Sequence, residues 1–308
     1  MALQDIPFVV LLGPTAVGKS EVAVELALET GGEIVSADSM QIYRGMDIGT
    51  AKPSAEERRG VPHHLFDALE ISELCDAARF RAMAMAAIDG IRKRGALPIV
   101  TGGSGLYIRA LTQGVFDGPG RDEALRARLE EEETPVLREQ LVRVDPKAAA
   151  KIGVGDRRRM IRALEIFEMT GTPISSRQTQ WGGHVAGRDV MPRLVGLSRS
   201  RAELYRRCDA RVDRMFGGGF LDEVRRLMRE GLARSPTAVK AIGYSDAMRH
   251  LSGEMTLVEA VKQVKQKTRN YVKRQTAWFR REPGIVWLEV ADGEDAATTA
   301  ERALGAFL

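Results

Sequence analysis

The residues best suited to chemistry in this sequence lie near the start of the chain, at 13–20. Their order, Gly-Pro-Thr-Ala-Val-Gly-Lys-Ser, fits the phosphate-binding pattern G-x-x-x-x-G-K-[ST] in full. In such loops backbone N–H groups and a helix N-terminus surround phosphate oxygens, the lysine adds a charge, and the serine hydroxyl binds Mg²⁺. The candidate diphosphate-binding residues are Gly13, Pro14, Thr15, Ala16, Val17, Gly18, Lys19 and Ser20, with Ser20 as the metal ligand.

The loop alone does not identify the diphosphate that it binds. A nucleotide hydrolase normally has an apolar strand that ends in an aspartate and completes the Mg²⁺ site. The apolar run 97–101 instead ends in Thr101-Gly102-Gly103-Ser104-Gly105, without a carboxylate. Asp38, which follows another predicted strand, is an alternative metal ligand or a turn-capping residue. ATP therefore stays open as the ligand at this point.

Alternating strands and helices must position this loop. Apolar runs bounded by glycine predict strands at 7–12, 33–37, 97–101, 193–197 and 284–290, and helices at 19–30, 79–94 and from Arg201 onward. In the first helix Val22, Val24, Leu26 and Leu28 are expected to pack inward. This alternation predicts an α/β fold with a parallel sheet of the P-loop NTPase type.

The middle of the chain has a different character. Residues 121–170 are highly charged and show helix signals without strand signals, and the polar segment 171–187 follows, where the helix signals fade. We therefore predict a helical insertion domain at 118–190 within a core formed by 1–117 and 191–308.

Positive charge is concentrated near the C-terminus. Segment 259–281 carries eight Lys or Arg against one Glu. As a helix it would place one basic stripe opposite an apolar one, which favours a polyanionic partner. The basic stripe is Lys262, Lys265, Arg269, Lys273 and Arg280, and the apolar stripe is Val261, Val264, Thr268, Val272 and Phe279.

Composition narrows the setting. The two cysteines, Cys75 and Cys208, lie far apart without metal-ligand spacing, which is typical of free thiols in a reducing cytoplasm. No segment approaches a membrane span, and residues 1–20 lack the pattern of a signal peptide. We expect a cytoplasmic, monomeric protein without a membrane partner.

Several further motifs make the chain similar to one family. Besides 13–20 they are SADSMQIYRGMDIGTAKP (36–53), HHLFD (63–67), TGGSGLYIRAL (101–111), DPKAAAKI (145–152), RALEIFEMTG (162–171), AIGY (241–244) and TRNYVKRQTAWFR (268–280). With these motifs in this order, nearly the whole chain resembles the bacterial tRNA dimethylallyltransferases, also called tRNA isopentenyltransferases.

The resemblance implies a reaction. The donor would be dimethylallyl diphosphate, the cofactor Mg²⁺, and the acceptor N6 of the adenine 3′-adjacent to the anticodon in tRNA. In the family's DSxQ-type motif the aspartate is the general base, which here is Asp38. Thr15 would hydrogen-bond the bridging oxygen as it leaves, and Lys19 would stabilise the developing charge. Arg207 and Arg211, four residues apart on one helix face, match basic residues near the diphosphate.

The resemblance also implies an RNA interface, with the insertion domain contacting the anticodon stem-loop. Its glutamine at 158 is replaced here by arginine, and Ser104 stands where the family often has threonine. The candidate tRNA-binding residues are Asp38, Ser39, Met40, Gln41, Ser104, Arg126, Arg158, Arg159, Arg162, Arg269, Lys273 and Arg274.

Other functions are compatible with parts of the sequence. A small-molecule P-loop kinase explains the loop but not the basic helix. A non-catalytic RNA-binding protein explains the basic helix but not the intact Lys19-Ser20 pair. An enzyme that prenylates free adenine nucleotides would not need the helix. His63-His64 lack a third ligand in the sequence, so we interpret them as structural.

Overall fold

The structure is a computed structural model that describes residues 6–115, 118–177 and 192–308. It divides into two compact units. One consists of Met1–Thr112 with Arg188–Leu308, and the other is Gln113–Gly187. The sequence placed these boundaries a few residues later, at 118 and 190.

The larger unit is built on a single sheet. Its strands are β1 Val9–Leu12, β2 Glu33–Ser36, β3 His63–His64, β4 Pro98–Gly102, β5 Arg193–Ser198 and β6 Ile285–Glu289. They run in the order β3-β2-β4-β1-β5-β6, and all the pairings between them are parallel. The loops after the strands therefore open at one edge, where ligands bind in such sheets.

Helices cover both faces of this sheet. They are α1 Lys19–Thr30, α2 Ala77–Lys93, α3 Gly105–Gln113, α9 Arg201–Gly217, α10 Phe220–Arg229, α11 Tyr244–Leu251, α12 Leu257–Phe279 and α13 Ala296–Phe307. Alternate residues of β1 enter different cores, Val9 and Leu11 in one and Val10 and Leu12 in the other. Burial on both faces explains why this strand is an unbroken apolar run.

The α/β prediction is confirmed, together with the strands and helices expected at both ends of the chain. One packing prediction is wrong: Leu28 is 45% exposed, although Val22, Val24 and Leu26 are buried. At about 3.6 residues per turn, Leu28 lies just beyond the buried arc of α1. The sequence also missed β3, which has only two residues, and α13.

The smaller unit is helical, as expected for residues 121–170. Its helices are α4 Glu123–Glu131, α5 Thr134–Val144, α6 Pro146–Lys151, α7 Arg157–Thr170 and the short α8 Ile174–Arg177. Leu129, Leu137, Leu141, Met160 and Leu164 form its core. The prediction of a polar segment at 171–187 missed α8, and its remainder from 178 lies outside the described residues.

A buried carboxylate organises the charged residues of this unit. The Glu165 side chain is fully buried and accepts hydrogen bonds from Arg126 at 2.8 and 2.9 Å and from Arg162 at 2.7 Å. The Asp122 N–H donates to it as well, at 2.9 Å. Burial alone would raise the pKa of Glu165, but these donors outweigh burial and lower it to about 2.

In the part of the chain that the structure describes, no helix is both long enough and apolar enough to cross a membrane.

Replacing Glu165 by Gln should destabilise the helical unit by about 3 kcal/mol, because two guanidinium groups lose their buried counter-charge and keep one amide oxygen in place of two carboxylate oxygens. Since the folded-state pKa of Glu165 is depressed to about 2, its contribution should be complete above about pH 4.5 and lost as the pH falls through about 2. Hydrogen exchange of α4 and α7 in E165Q measures the loss. E168Q, which breaks the exposed Arg128 pair, is the control. Equal protection in both variants would contradict the assignment.

Candidate functional site

The phosphate-binding loop has the strand–loop–helix context that its sequence predicts. It leaves β1 after Leu12 and enters α1 at Lys19. Gly13 has φ +150°, and a Cβ there would lie 2.6 Å from the Leu197 carbonyl oxygen, so no other residue fits. Lys19 Nζ donates to the Pro14 carbonyl at 2.8 Å. Burial lowers the pKa of Lys19 to about 8, against the opposing effect of the Asp38 carboxylate.

Three arginines hold the outer side of this loop. Arg199 donates to the Val17 carbonyl at 3.0 Å, Arg207 to the Ala16 carbonyl at 2.7 Å, and Arg211 to Thr15 Oγ1 at 3.0 Å. The structure thus brings the predicted pair Arg207 and Arg211 to the loop. Arg199 was missed, although its place directly after β5 was a signal, because the loops after parallel strands share one edge.

A buried glutamine ties the loop to the neighbouring strand end. Gln275 Oε1 accepts the Thr15 N–H at 2.8 Å, and Gln275 Nε2 donates to the Gly103 carbonyl at 2.9 Å. Gln275 lies on α12 and is 5% exposed. Sequence reasoning quoted the motif that contains it but gave it no role. The Thr15 N–H is therefore engaged, while the Thr15 hydroxyl faces Arg211.

The Asp38 carboxylate is held from one side only. Its Oδ1 accepts the N–H groups of Met40 at 2.8 Å and Gln41 at 3.3 Å. Ser104 Oγ accepts the Ser39 N–H at 3.0 Å, and the Ser104 N–H donates to the Ala37 carbonyl at 3.3 Å. Within residues 6–115, 118–177 and 192–308 no hydrogen-bond donor reaches Asp38 Oδ2, which leaves this oxygen to accept a proton.

Gln41 has local partners. Its Nε2 donates to the carbonyls of Thr50 and Ala51, at 3.2 Å each, and its Oε1 accepts from Ser36 at 3.2 Å. The amide therefore ties segment 36–51 together. Reading the edge of a base, as the sequence suggested, would require it to give up part of this bonding.

Two cavities meet at Thr15, Asp38 and Arg211. The phosphate cavity, of about 1130 Å³, is lined by the loop with Lys19 and Ser20. The acceptor cavity, of about 230 Å³, is more apolar and is lined by Met40, Val212, Ile242 and Val264. Both cavities share a wall made of Thr15, Asp38, Thr50, Arg211, Met215 and Tyr271.

The residues at this edge suit a hard cation that is also held by a phosphate. The described residues contain no group of three or more His, Cys, Asp or Glu side chains able to hold a metal. Ser20 lines the phosphate cavity, and its hydroxyl makes no hydrogen bond within the described residues. One or two protein oxygens completed by phosphate and water match the usual coordination of Mg²⁺.

The basic helix exists as α12, and its apolar stripe is buried at Val264, Thr268, Val272 and Phe279. Its basic stripe is less uniform than the sequence suggested. Lys265 pairs with Asp213 and Arg269 with Asp209, each at 2.7 Å, so carboxylates of α9 offset two of the charges.

Other basic residues of the stripe are exposed, namely Lys262 and Lys273 on α12 and Arg280 directly after it. The Arg274 guanidinium lies 5.5 Å from the centre of the Tyr271 ring, and both residues line the acceptor cavity. Of the three candidates on this helix, Arg274 thus lies at the cavity, Lys273 is exposed, and Arg269 is held by its ion pair.

The helical unit presents its predicted RNA-binding residues in two ways. Arg158 and Arg159 are exposed, and Arg159 pairs with Asp156 at 3.3 Å. Arg126 and Arg162 instead direct their guanidinium groups at Glu165. That ion pairing is structural and does not depend on RNA.

The sheet order, the loop after β1 and the basic side chains around it define an α/β protein of the P-loop class. The family model described as "IPP transferase" matches residues 41–282. The chain belongs to this family, which confirms the resemblance that its motifs indicated.

Similar proteins and solved structures support the same family. The chain is 48% identical to the tRNA dimethylallyltransferase of Anaeromyxobacter dehalogenans, over 96% of each chain, and 48% identical to that of Geobacter metallireducens, over 91% and 92%. A crystal structure of the tRNA isopentenylpyrophosphate transferase of Bacillus halodurans is similar with TM-score 0.71 and 39% identity, covering 97% and 96%. A eukaryotic dimethylallyltransferase acting on tRNA gives TM-score 0.80 and 29% identity, covering 96% of this chain and 77% of that one.

Replacing Gln275 by Leu should cost about 1–3 kcal/mol of stability, because the Thr15 N–H and the Gly103 carbonyl both lose their buried partner. Urea denaturation of Q275L measures the change. Q266L, which changes an exposed glutamine of the same helix, is the control and should be destabilised less. A Q275L variant as stable as the wild type would show that the bridge is not important.

Proposed function

We propose that this tRNA prenyltransferase moves a dimethylallyl group from dimethylallyl diphosphate to N6 of the adenine 3′-adjacent to the anticodon in tRNA, and releases diphosphate. One observation carries the proposal. A cavity lined by a phosphate-binding loop and a smaller, more apolar cavity share a wall that contains Thr15, Asp38 and Arg211. A donor diphosphate and an acceptor base on either side of this wall would place their reacting atoms beside these three residues.

On the donor side, the bond between C1 of the dimethylallyl group and the bridging oxygen breaks, and its electron pair stays on the diphosphate. Lys19 and Arg211 supply positive charge where this negative charge develops. Because Arg211 donates to Thr15 Oγ1, the hydroxyl proton of Thr15 is free to be donated to the bridging oxygen. The leaving group is thereby stabilised as it forms.

Mg²⁺ is part of the proposal. The Ser20 hydroxyl would hold it together with the diphosphate and water. When bound, it would supply Lewis-acid neutralisation of the diphosphate oxygens.

On the acceptor side, the amino group of adenine forms the new N6–C1 bond and loses a proton. Its lone pair is delocalised into the ring, so a base that orients the N–H and takes the proton accelerates the step. Asp38 Oδ2 is suited to this role, because Oδ1 is fixed by the N–H groups of Met40 and Gln41. The adenine must leave its stack in the RNA to reach this oxygen.

The phosphates of the acceptor would follow the exposed basic residues. Lys273 and Arg274 on α12 lie next to Gln275, and Arg274 lines the acceptor cavity. In the helical unit the exposed Arg158 and Arg159 are the better placed candidates for contact with the anticodon stem-loop. Arg126 and Arg162 would contribute mainly by holding their helices through Glu165.

A transfer assay tests the reaction. The protein, Mg²⁺, labelled dimethylallyl diphosphate and unmodified tRNA should yield labelled tRNA without ATP hydrolysis. D38A should lose roughly 10²–10⁴-fold in turnover, because the step loses its base, yet bind tRNA normally. E57Q, which changes an exposed carboxylate lining the same cavity, should remain active. ATP turnover with unlabelled tRNA would instead favour a kinase, and near-normal turnover in D38A would exclude it as the base.

Diphosphate binding should depend on the charge of Lys19. In the free protein its pKa is lowered to about 8, so the side chain is protonated below that pH and neutral above it. Affinity for inorganic diphosphate, measured by calorimetry, should weaken by roughly tenfold per pH unit above this pKa. K19R keeps its charge at these pH values, so it reports the titration of the ligand alone. The same pH dependence in K19R and the wild type would contradict the prediction.

A further inference from the structure

The acceptor cavity has one wall without regular secondary structure. Segment 47–50 forms turns between β2 and β3, and its residues Gly49 and Thr50 line the cavity together with Asp38. The Thr50 carbonyl accepts hydrogen bonds from Arg211 at 3.0 Å and from Gln41 at 3.2 Å. The position of this segment therefore sets the shape of the cavity and one contact of Arg211.

One buried carboxylate binds this segment. Glu223 on α10 accepts the N–H groups of Asp47 at 2.9 Å and Ile48 at 2.7 Å through Oε2, and that of Gly49 at 3.1 Å through Oε1. The residue is 6% exposed. Three consecutive N–H groups outside any helix thus share one anion, and such charge-assisted hydrogen bonds are stronger than neutral ones.

Two aromatic side chains, Phe220 and Tyr244, pack against segment 47–50 beside Glu223. A Cβ on Gly49 would lie 2.4 Å from a Phe220 ring atom and 2.6 Å from Tyr244, so there is no room for the segment to move inward. The Tyr244 hydroxyl donates to Glu223 Oε1 at 2.7 Å. Burial and the Glu223 carboxylate raise the pKa of Tyr244, which keeps its hydroxyl protonated as a donor.

We propose that Glu223 is a positioning residue for the acceptor, which holds segment 47–50 so that the acceptor cavity fits the adenine beside Asp38. The inference rests on the proposed function, because it assumes that the adenine enters this cavity. Glu223 makes no hydrogen bond to loop 13–20 and reaches the donor side only indirectly, because the Thr50 carbonyl that it helps to place is one acceptor of Arg211. Its effect should therefore fall mainly on the acceptor and less on the diphosphate.

E223Q tests this role in the full-length protein. The amide offers one acceptor oxygen and turns an NH₂ group toward backbone donors, so segment 47–50 should shift. We expect kcat/KM for tRNA to fall by roughly 10- to 100-fold, as for other small misplacements of a bound group, while KM for dimethylallyl diphosphate stays within about threefold. Amide hydrogen exchange at 47–49 should accelerate.

The matched control is E33Q. Glu33 is a partly buried carboxylate, with its side chain 12% exposed, at the start of β2 and away from the ligand-binding edge, where it accepts hydrogen bonds from Arg94 at 2.9 and 2.7 Å. E33Q should lose stability without a change in kcat/KM for tRNA or in exchange at 47–49. Y244F, which removes one donor of four, should show a smaller effect than E223Q.

The outcomes distinguish failure of the Glu223 role from failure of the proposed function. Equal kcat/KM for tRNA in E223Q and E33Q would overturn the positioning role. So would a rise in KM for dimethylallyl diphosphate in E223Q that is as large as the fall in kcat/KM for tRNA. If E223Q does not fold, Y244F decides in the same way through its smaller effect, because it weakens the hydrogen bonding of Glu223 without changing a residue that lines the cavity. If the wild type transfers no label to tRNA, the proposed function fails. Unchanged amide exchange at 47–49 in E223Q would instead contradict the claim that Glu223 holds segment 47–50.

Discussion

The site depends on concentrating positive charge around a loop that has few side chains of its own. Lys19, Arg199, Arg207 and Arg211 all contact residues of loop 13–20. Burial removes the hydration of these charges and, to a smaller extent, like charges repel, which is why the pKa values of Lys19, Arg199 and Arg211 are all lowered. Backbone carbonyls of the loop relieve part of this cost, and an anion in the cavity would relieve the rest. The loop is therefore arranged for a ligand of high negative charge.

The parallel sheet makes this arrangement possible. Loops after β1, β2, β4 and β5 open at one edge, so residues distant in sequence meet without long side chains. The contact between β4 and β2 is especially close, because a Cβ on Gly102 would lie 2.2 Å from the Ala37 carbonyl oxygen. Asp38 follows directly after Ala37, and Ser104 hydrogen-bonds to the residue before Asp38 and to the residue after it. The Asp38 carboxylate is thus positioned by the sheet and by the turn.

The sequence predicted the parts of the site whose signal is local. Loop 13–20 carries its whole pattern within eight residues, and Asp38 was identified through its motif and its place after a strand. Gln275 was missed, since its partner Thr15 lies 260 residues away. The charge of α12 was overestimated for the same reason, because Asp209 and Asp213 belong to another helix. Pairing across elements is a tertiary property that the periodicity of one helix does not contain.

Helix α12 connects the two halves of the proposed chemistry. Its buried face brings Gln275 to the Thr15 N–H, and its exposed face carries Lys273 and Arg274. Tyr271, one turn earlier, lines both cavities and lies beneath the Arg274 guanidinium. A helix whose apolar stripe is buried moves little as a unit, so in the proposed reaction it would fix the distance between a phosphate bound at Arg274 and a leaving group bound at Thr15. One rigid element would then position both acceptor and donor, which is the main requirement for a transfer that depends on proximity.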